Sequence, residues 1–161
     1  MREQVGFMSD DMPLFGMRTD KLLRMVSGYY PTWDPALAEA LVQRFEIDPT
    51  KRVAKLSKGE GTRVRLVLAI AFRPKVLLLD EPATGLDLGG RRRLLETVLG
   101  LMKAGDPTVL VSSHQLADVE RISDRLLVLK NGAVARDGAT DRLVGDDRTL
   151  EEAMIAWGAD G

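Results

Sequence analysis

The segment VLLLDEP, residues 76–82, sets the tightest limit on what this chain can fold into. An apolar run without alternation predicts a strand covered on both faces, as in a parallel sheet between helices. Two acids follow at once. A charge at the mouth of such a run is tolerated where a cation or a polar ligand meets it. Asp80 and Glu81 therefore mark the carboxyl end of this strand as a candidate site. On an extended backbone they point to opposite sides, so one can serve a cation and the other a water.

The flanking pattern agrees with a parallel sheet. Residues 4–8 read as a short strand. Residues 12–52 read as a small helical subdomain: Thr19 is placed to cap a helix running to about Ser27, YYPTWDP breaks it, and Asp34-Pro35 starts a second helix with an acid at the cap and a proline at the first position. Leu37, Leu41 and Phe45 give that helix one buried stripe. LSKGEGTRVRLVLAIAF is then a helix opened by a capping box, Ser57 with Glu60 three residues on, and Arg73-Pro74 closes it. A helix over 89–103, a turn at Asp106-Pro107, a buried strand over 108–113, a short helix over 116–122 and a strand over 125–130 follow. Asn131-Gly132 is a strong hairpin signal, with AVAR returning. Residues 146–161 hold a C-terminal helix that ends at glycine. Strand and helix in alternation imply a parallel sheet with right-handed crossovers, whose ligand sits beyond the carboxyl ends of the strands. There His114, the single histidine, follows the second buried strand and lies near both acids.

Composition narrows the function classes. A chain of 161 residues with net charge −1 lacks the basic excess of a protein whose main work is gripping nucleic-acid backbone. With no cysteine, disulfides and thiolate metal sites are excluded. No apolar run approaches the ~20 residues of a membrane span, and the first residues do not form a secretory signal.

Taken singly, these features have plain structural explanations. Ser57 with Glu60 caps a helix, TGLD makes a turn, and a lone histidine after a strand is commonly a surface group. Their order and spacing together are harder to attribute to chance. LSKGE at 56–60, VLLLDEP at 76–82, TGLD at 84–87 and SSH at 112–114 resemble the signature motif, Walker B, D-loop and switch histidine of ABC-type ATPases. The resemblance runs from about residue 4 to residue 145. With WDP and LSKG, and with a hairpin and short tail after the histidine, it leans toward ATP-binding subunits of bacterial ABC exporters that pair with separate permeases.

The resemblance implies an α/β, partial P-loop NTPase fold: a parallel sheet with flanking helices over 53–145, plus the helical subdomain. It implies ATP and Mg²⁺ as ligands. Asp80 would hold Mg²⁺, Glu81 would orient or deprotonate the attacking water, and His114 would sense the γ-phosphate. Such roles suit phosphoryl transfer, which needs positioning and charge neutralisation more than covalent help. Ser57 and the N–H of Gly59, at a helix N-terminus, would reach ATP held by a second ATPase subunit, with Lys58 favouring phosphate. Asp87 would touch that subunit across the same interface. The remaining partner implied is a membrane permease, which would hold the chain at the cytoplasmic face of the membrane. No nucleic-acid partner is expected.

Departures from the family pattern are equally legible. No G-x-x-x-x-G-K-[ST] occurs in the chain, so the expectation is the later part of such a domain, with very roughly 80 residues of it upstream. Asp10 stands where the family usually has glutamine; it can approach Mg²⁺ but adds negative charge beside ATP. Lys58 stands where glycine is commoner, and Glu60 replaces the usual glutamine. Arg91, Arg92 and Arg93 read as a solvated helix face. Tyr29, Tyr30 and Trp33 read as packing of the helical subdomain, or as a docking surface for a permease helix. Trp157 reads as core or a minor interface. Two alternatives stay open: a non-catalytic module that donates its signature helix to a partner, and an ABC-type ATPase of DNA maintenance.

Overall fold

The computed structural model describes residues 4–104, 107–145 and 148–159. The turn at Asp106 lies outside them in part, as do both ends of the 146–161 segment. The chain divides into two compact units, residues 1–113 and 114–161.

The first unit is built on a parallel sheet of β1 (Val5–Ser9), β2 (Val76–Asp80) and β3 (Thr108–Ser112), in that order. Its helices are α1 (Thr19–Ser27), α2 (Pro35–Arg44), α3 (Lys58–Ile70) and α4 (Leu88–Lys103). A short 3-10 turn, Val53–Lys55, leads into α3. From Val64 on, α3 is buried almost all round and packs against β1, α1 and α2. Met8, Leu22, Phe45, Leu77 and Leu79 complete the core beside it. The sheet is less covered than the VLLL run suggests. Leu77 and Leu79 are buried, but on the other face Phe7, Leu78 and Leu110 lie side by side, and Phe7 and Leu110 are 50% and 55% exposed.

Local signals place α2 and α3 where expected. Asp34 Oδ1 accepts the N–H of Leu37 at 2.9 Å, and Pro35 is the first residue of α2. That N–H, and then Arg73, hold the Asp34 carboxyl below its usual range. Thr19 departs from its expected role. It is the first helical residue of α1, the cap position is Arg18, and its buried hydroxyl donates to the Lys51 carbonyl at 3.0 Å. A partner 32 residues away has outcompeted the local cap.

Aromatic residues mostly pack: the Tyr30 ring stacks on Phe72 at 4.1 Å between centroids, while Tyr29 is exposed. The arginine run is not a uniformly solvated face. Arg92 pairs with Glu96 along α4, but Arg93 reaches Glu46, beyond the end of α2, at 2.9 Å.

The second unit holds α5 (Leu116–Ile122), the antiparallel pair β4 (Arg125–Lys130) and β5 (Ala133–Ala139), α6 (Thr140–Val144) and α7 (Leu150–Ala159). The Asn131-Gly132 turn has both residues at positive φ, 53° and 77°, as a tight hairpin needs. Among the described residues β4 pairs only with β5, not with a third parallel neighbour. Leu126, Val144 and Leu150 form the small core, against which Trp157 packs with the Arg136 guanidinium over its ring. Helix α7 runs one residue past Gly158. None of the described helices is long and apolar enough to cross a membrane.

Candidate functional site

Parallel pairing carries Ser9, Asp80 and Ser112 to one level at the carboxyl edge of the sheet. The Asp80 carboxylate is held from both sides. Ser112 Oγ donates a hydrogen bond to Oδ1, and Ser9 Oγ donates to Oδ2 at 3.4 Å. The sequence assigns neither serine a role: Ser112 stands in the SSH motif only as a neighbour of His114, Ser9 follows the strand read over 4–8, and the register that joins them is not a local property.

Glu81 does not continue the strand. Its φ is +48°, in the left-handed region, so the alternation expected of an extended Asp-Glu pair does not hold. A non-glycine residue there costs about 1–2 kcal/mol, and such backbones persist where the surroundings fix them. The Glu81 N–H donates to the Ser112 carbonyl at 3.0 Å, which ties the distorted residue to β3.

The chain then folds back onto the N-terminus of α3. The Thr84 carbonyl accepts the Thr62 hydroxyl at 3.2 Å. The Gly85 carbonyl lies so close to Gly59 that a Cβ on Gly59 would collide with it, so glycine is required there. Asp87 caps α4 by accepting the Gly90 N–H at 2.7 Å, and Arg63 of α3 approaches the same oxygen at 3.4 Å. The Gly90 N–H is the main reason the Asp87 carboxyl is shifted below its ordinary value; partial burial opposes it and Arg63 adds to it. Asp87 is thus built into the seam between α3 and α4.

The capping box of α3 is complete. Ser57 Oγ accepts the Glu60 N–H at 3.3 Å, and Glu60 Oε2 accepts the Ser57 N–H at 2.7 Å. Lys51, not singled out from the sequence, donates to both Glu60 oxygens at 2.8 Å. The Lys51 bond, with the Ser57 N–H next, lowers the Glu60 carboxyl to about 2. Lys58 Nζ pairs with Asp10 Oδ2 at 2.7 Å, so Asp10 is not the bare negative charge the sequence suggested. An open hollow beside this pair is lined by Leu14, Leu56, Ser57 and Arg65, among others. His114 is the first residue of the second unit, where Gln115 Nε2 lies 3.0 Å from its Nε2.

Oxygen donors dominate the edge of the sheet. Among the described residues no three His, Cys, Asp or Glu side chains cluster as a metal cage. One carboxylate flanked by two hydroxyls instead suits Mg²⁺, which keeps several waters and takes one or two carboxylates plus phosphate oxygens.

Comparison with known proteins gives these motifs a common context. Residues 1–84 match the protein family described as ABC transporter. The chain is 31% identical over 144 residues to the ABC transporter ATP-binding protein YtrB of Bacillus subtilis, covering 89% of this chain and 49% of that protein. It is 37% identical over 112 residues to the energy-coupling factor transporter ATP-binding protein EcfA2 of Clostridium perfringens, covering 70% of this chain and 39% of that one. A solved structure described as the ATP-binding subunit of an ABC transporter superposes with a TM-score of 0.86 at 27% identity, covering 98% of this chain and 69% of its own. The chain spans about half the length, or less, of the two curated relatives named here.

Proposed function

The chain belongs to the ABC transporter family, and on that premise we propose that it forms the signature-helix and Walker B part of an ATP-binding subunit. Such a subunit binds Mg²⁺-ATP and hydrolyses it to drive a separate membrane permease. The observation that carries the reading is the edge of the sheet: Asp80 fixed by Ser9 and Ser112, with Glu81 next to it in a left-handed turn.

In this reading Asp80 holds Mg²⁺, which supplies charge neutralisation for the phosphates when bound. Ser9 and Ser112 keep the Asp80 carboxylate in place. Glu81 accepts a proton from, or orients, the water that attacks the γ-phosphate. The Ser57 hydroxyl and Gly59 N–H present a helix N-terminus to ATP carried by a second ATPase subunit, as helix ends do to anions. Lys58 adds a cation there, Asp87 lies on the same interface, and His114 senses the γ-phosphate. Asp10, paired with Lys58, would be the second carboxylate able to approach Mg²⁺. A permease holds the assembly at the cytoplasmic face of the membrane.

The test uses a fusion that places a Walker A segment from an ABC subunit ahead of Val5. Glu81→Gln in that fusion should leave Mg-ATP binding within about twofold and slow turnover by ~10²- to 10⁴-fold, the usual contribution of a general base. A Glu81→Gln fusion that turns over at the parent rate removes Glu81 from the mechanism and leaves the catalytic reading without support.

A further inference from the structure

We propose that Lys51 is a positioning residue for the N-terminus of α3: it holds the Glu60 carboxylate, and through it the backbone of Ser57. This rests on the reading of Ser57 and Gly59 as phosphate-facing groups.

The chain of contacts is continuous. Lys51 Nζ donates to Glu60 Oε1 and Oε2, both at 2.8 Å. Glu60 Oε2 in turn accepts the Ser57 N–H at 2.7 Å. Lys51 is also anchored at its base. Its carbonyl accepts the N–H and the hydroxyl of fully buried Thr19, each at 3.0 Å. The lysine therefore extends from a fixed point at the start of α1 rather than from a free loop. Its side chain is 33% exposed and that of Glu60 is 29% exposed.

The charge balance gives the contact a purpose. Helix N-termini carry a partial positive charge that favours anions. A carboxylate at the third residue of α3 caps the helix but opposes any phosphate brought to the same end. Lys51 cancels that charge without disturbing the cap. Of the cations nearby, Lys58 pairs with Asp10 at 2.7 Å in a half-exposed contact, and Arg65 donates to the Met12 carbonyl at 2.7 Å. Lys51 and Glu60 thus act as one neutral unit that keeps Ser57 and Gly59 available to a phosphate.

The experiment is NMR on the 161-residue chain. In Lys51→Met the Glu60 carboxyl midpoint should rise by about one pH unit or more, and the Ser57 amide should exchange severalfold faster. Lys51→Arg should restore both. After Lys51, the Ser57 N–H lowers the Glu60 carboxyl most; Ser57→Ala keeps that N–H, so it should leave the Glu60 midpoint well below the one in Lys51→Met. An unchanged midpoint in Lys51→Met overturns the proposal. A raised midpoint with unaltered Ser57 exchange also overturns it, because Lys51 would then touch Glu60 without positioning the serine. If Lys51→Met fails to fold, Lys51→Gln is read by the same criteria.

Inorganic tripolyphosphate, followed at the Gly59 amide, reads the functional consequence. Its dissociation constant should rise severalfold in Lys51→Met and return in the Lys51→Met, Glu60→Gln double variant, where no charge is left to neutralise. A double variant as weak as the single one overturns the charge-balance argument. No shift at Gly59 in the parent chain refutes the phosphate-facing reading instead; the Glu60 and Ser57 readouts still decide the role of Lys51.

Discussion

Lys58 Nζ sits 2.7 Å from Asp10 Oδ2, joining the first residue of α3 to the residue that follows β1. The two are 48 positions apart in the chain. Each alone would unbalance the site, Lys58 by a positive charge and Asp10 by a negative one. Together they cancel.

The pair is half in water, with Lys58 57% and Asp10 26% exposed. Exposed pairs couple by about 0–1 kcal/mol and weaken with salt. A double-mutant cycle with Lys58→Met and Asp10→Asn, read by urea denaturation, should return a coupling below about 1 kcal/mol that shrinks further in high salt. Such a contact breaks readily, which leaves Lys58 free to meet a phosphate. A coupling of several kcal/mol would mean that the pair is a fixed strut and not an exchangeable one.

Glu60 should make the first unit acid-sensitive in a defined window. Its folded-state midpoint, about 2, lies below the ordinary 4.5. The sign follows from linkage: the folded state binds this proton less readily, so the stabilisation is fully present above the ordinary value and is lost as pH falls through the folded one. After allowance for solvent screening it is on the order of 1 kcal/mol. The stability difference between the parent and Glu60→Gln should therefore be constant above pH 4.5 and shrink as pH falls from 4.5 toward 2. Parallel curves across that range would exclude Glu60 as the source.

These contacts also mark what could be read from the sequence and what could not. The Ser57–Glu60 box, the Asp34-Pro35 start and the Asn131-Gly132 turn were legible because donor and acceptor lie within a few residues of each other. The edge of the sheet was legible in part. VLLLDEP announced Asp80 and Glu81, but Ser9 is 71 residues from Asp80 and Ser112 is 32 away, and only strand register joins them. Thr19 shows the opposite error. A sound local rule made it a cap, and a carbonyl brought in by tertiary packing took its hydroxyl. Extended geometry failed at Glu81 for a similar reason, since the turn that follows β2 fixes its φ.

Gly59 should tolerate no side chain. Alanine normally favours a helix over glycine by about 1 kcal/mol. Here its Cβ would strike the Gly85 carbonyl, a backbone atom that cannot swing aside like the end of a side chain. Gly85 is itself at φ +78°, so the turn has little freedom to adjust. Gly59→Ala should lose ~1–3 kcal/mol in urea denaturation, the usual range for overpacking. A neutral or stabilised variant would show that the 84–87 turn does not rest on α3.

The 161 residues on their own should bind Mg-ATP weakly and release no phosphate at a useful rate. They contain no G-x-x-x-x-G-K-[ST], and therefore no glycine-rich loop whose N–H groups and lysine hold a triphosphate. Two cations close to the N-terminus of α3 are already paired, Lys58 with Asp10 and Lys51 with Glu60. Asp80 and Glu81 add negative charge at the edge of the sheet. The amides at the start of α3 can meet one phosphate but cannot hold three in line. Calorimetry should give a dissociation constant of about 1 mM or weaker, corresponding to roughly −4 kcal/mol. The fusion carrying a Walker A segment should bind far more tightly and hydrolyse ATP. A tight one-to-one complex with the 161-residue chain itself, with steady phosphate release abolished by Glu81→Gln, would show that these residues hold a phosphate cradle of a different design.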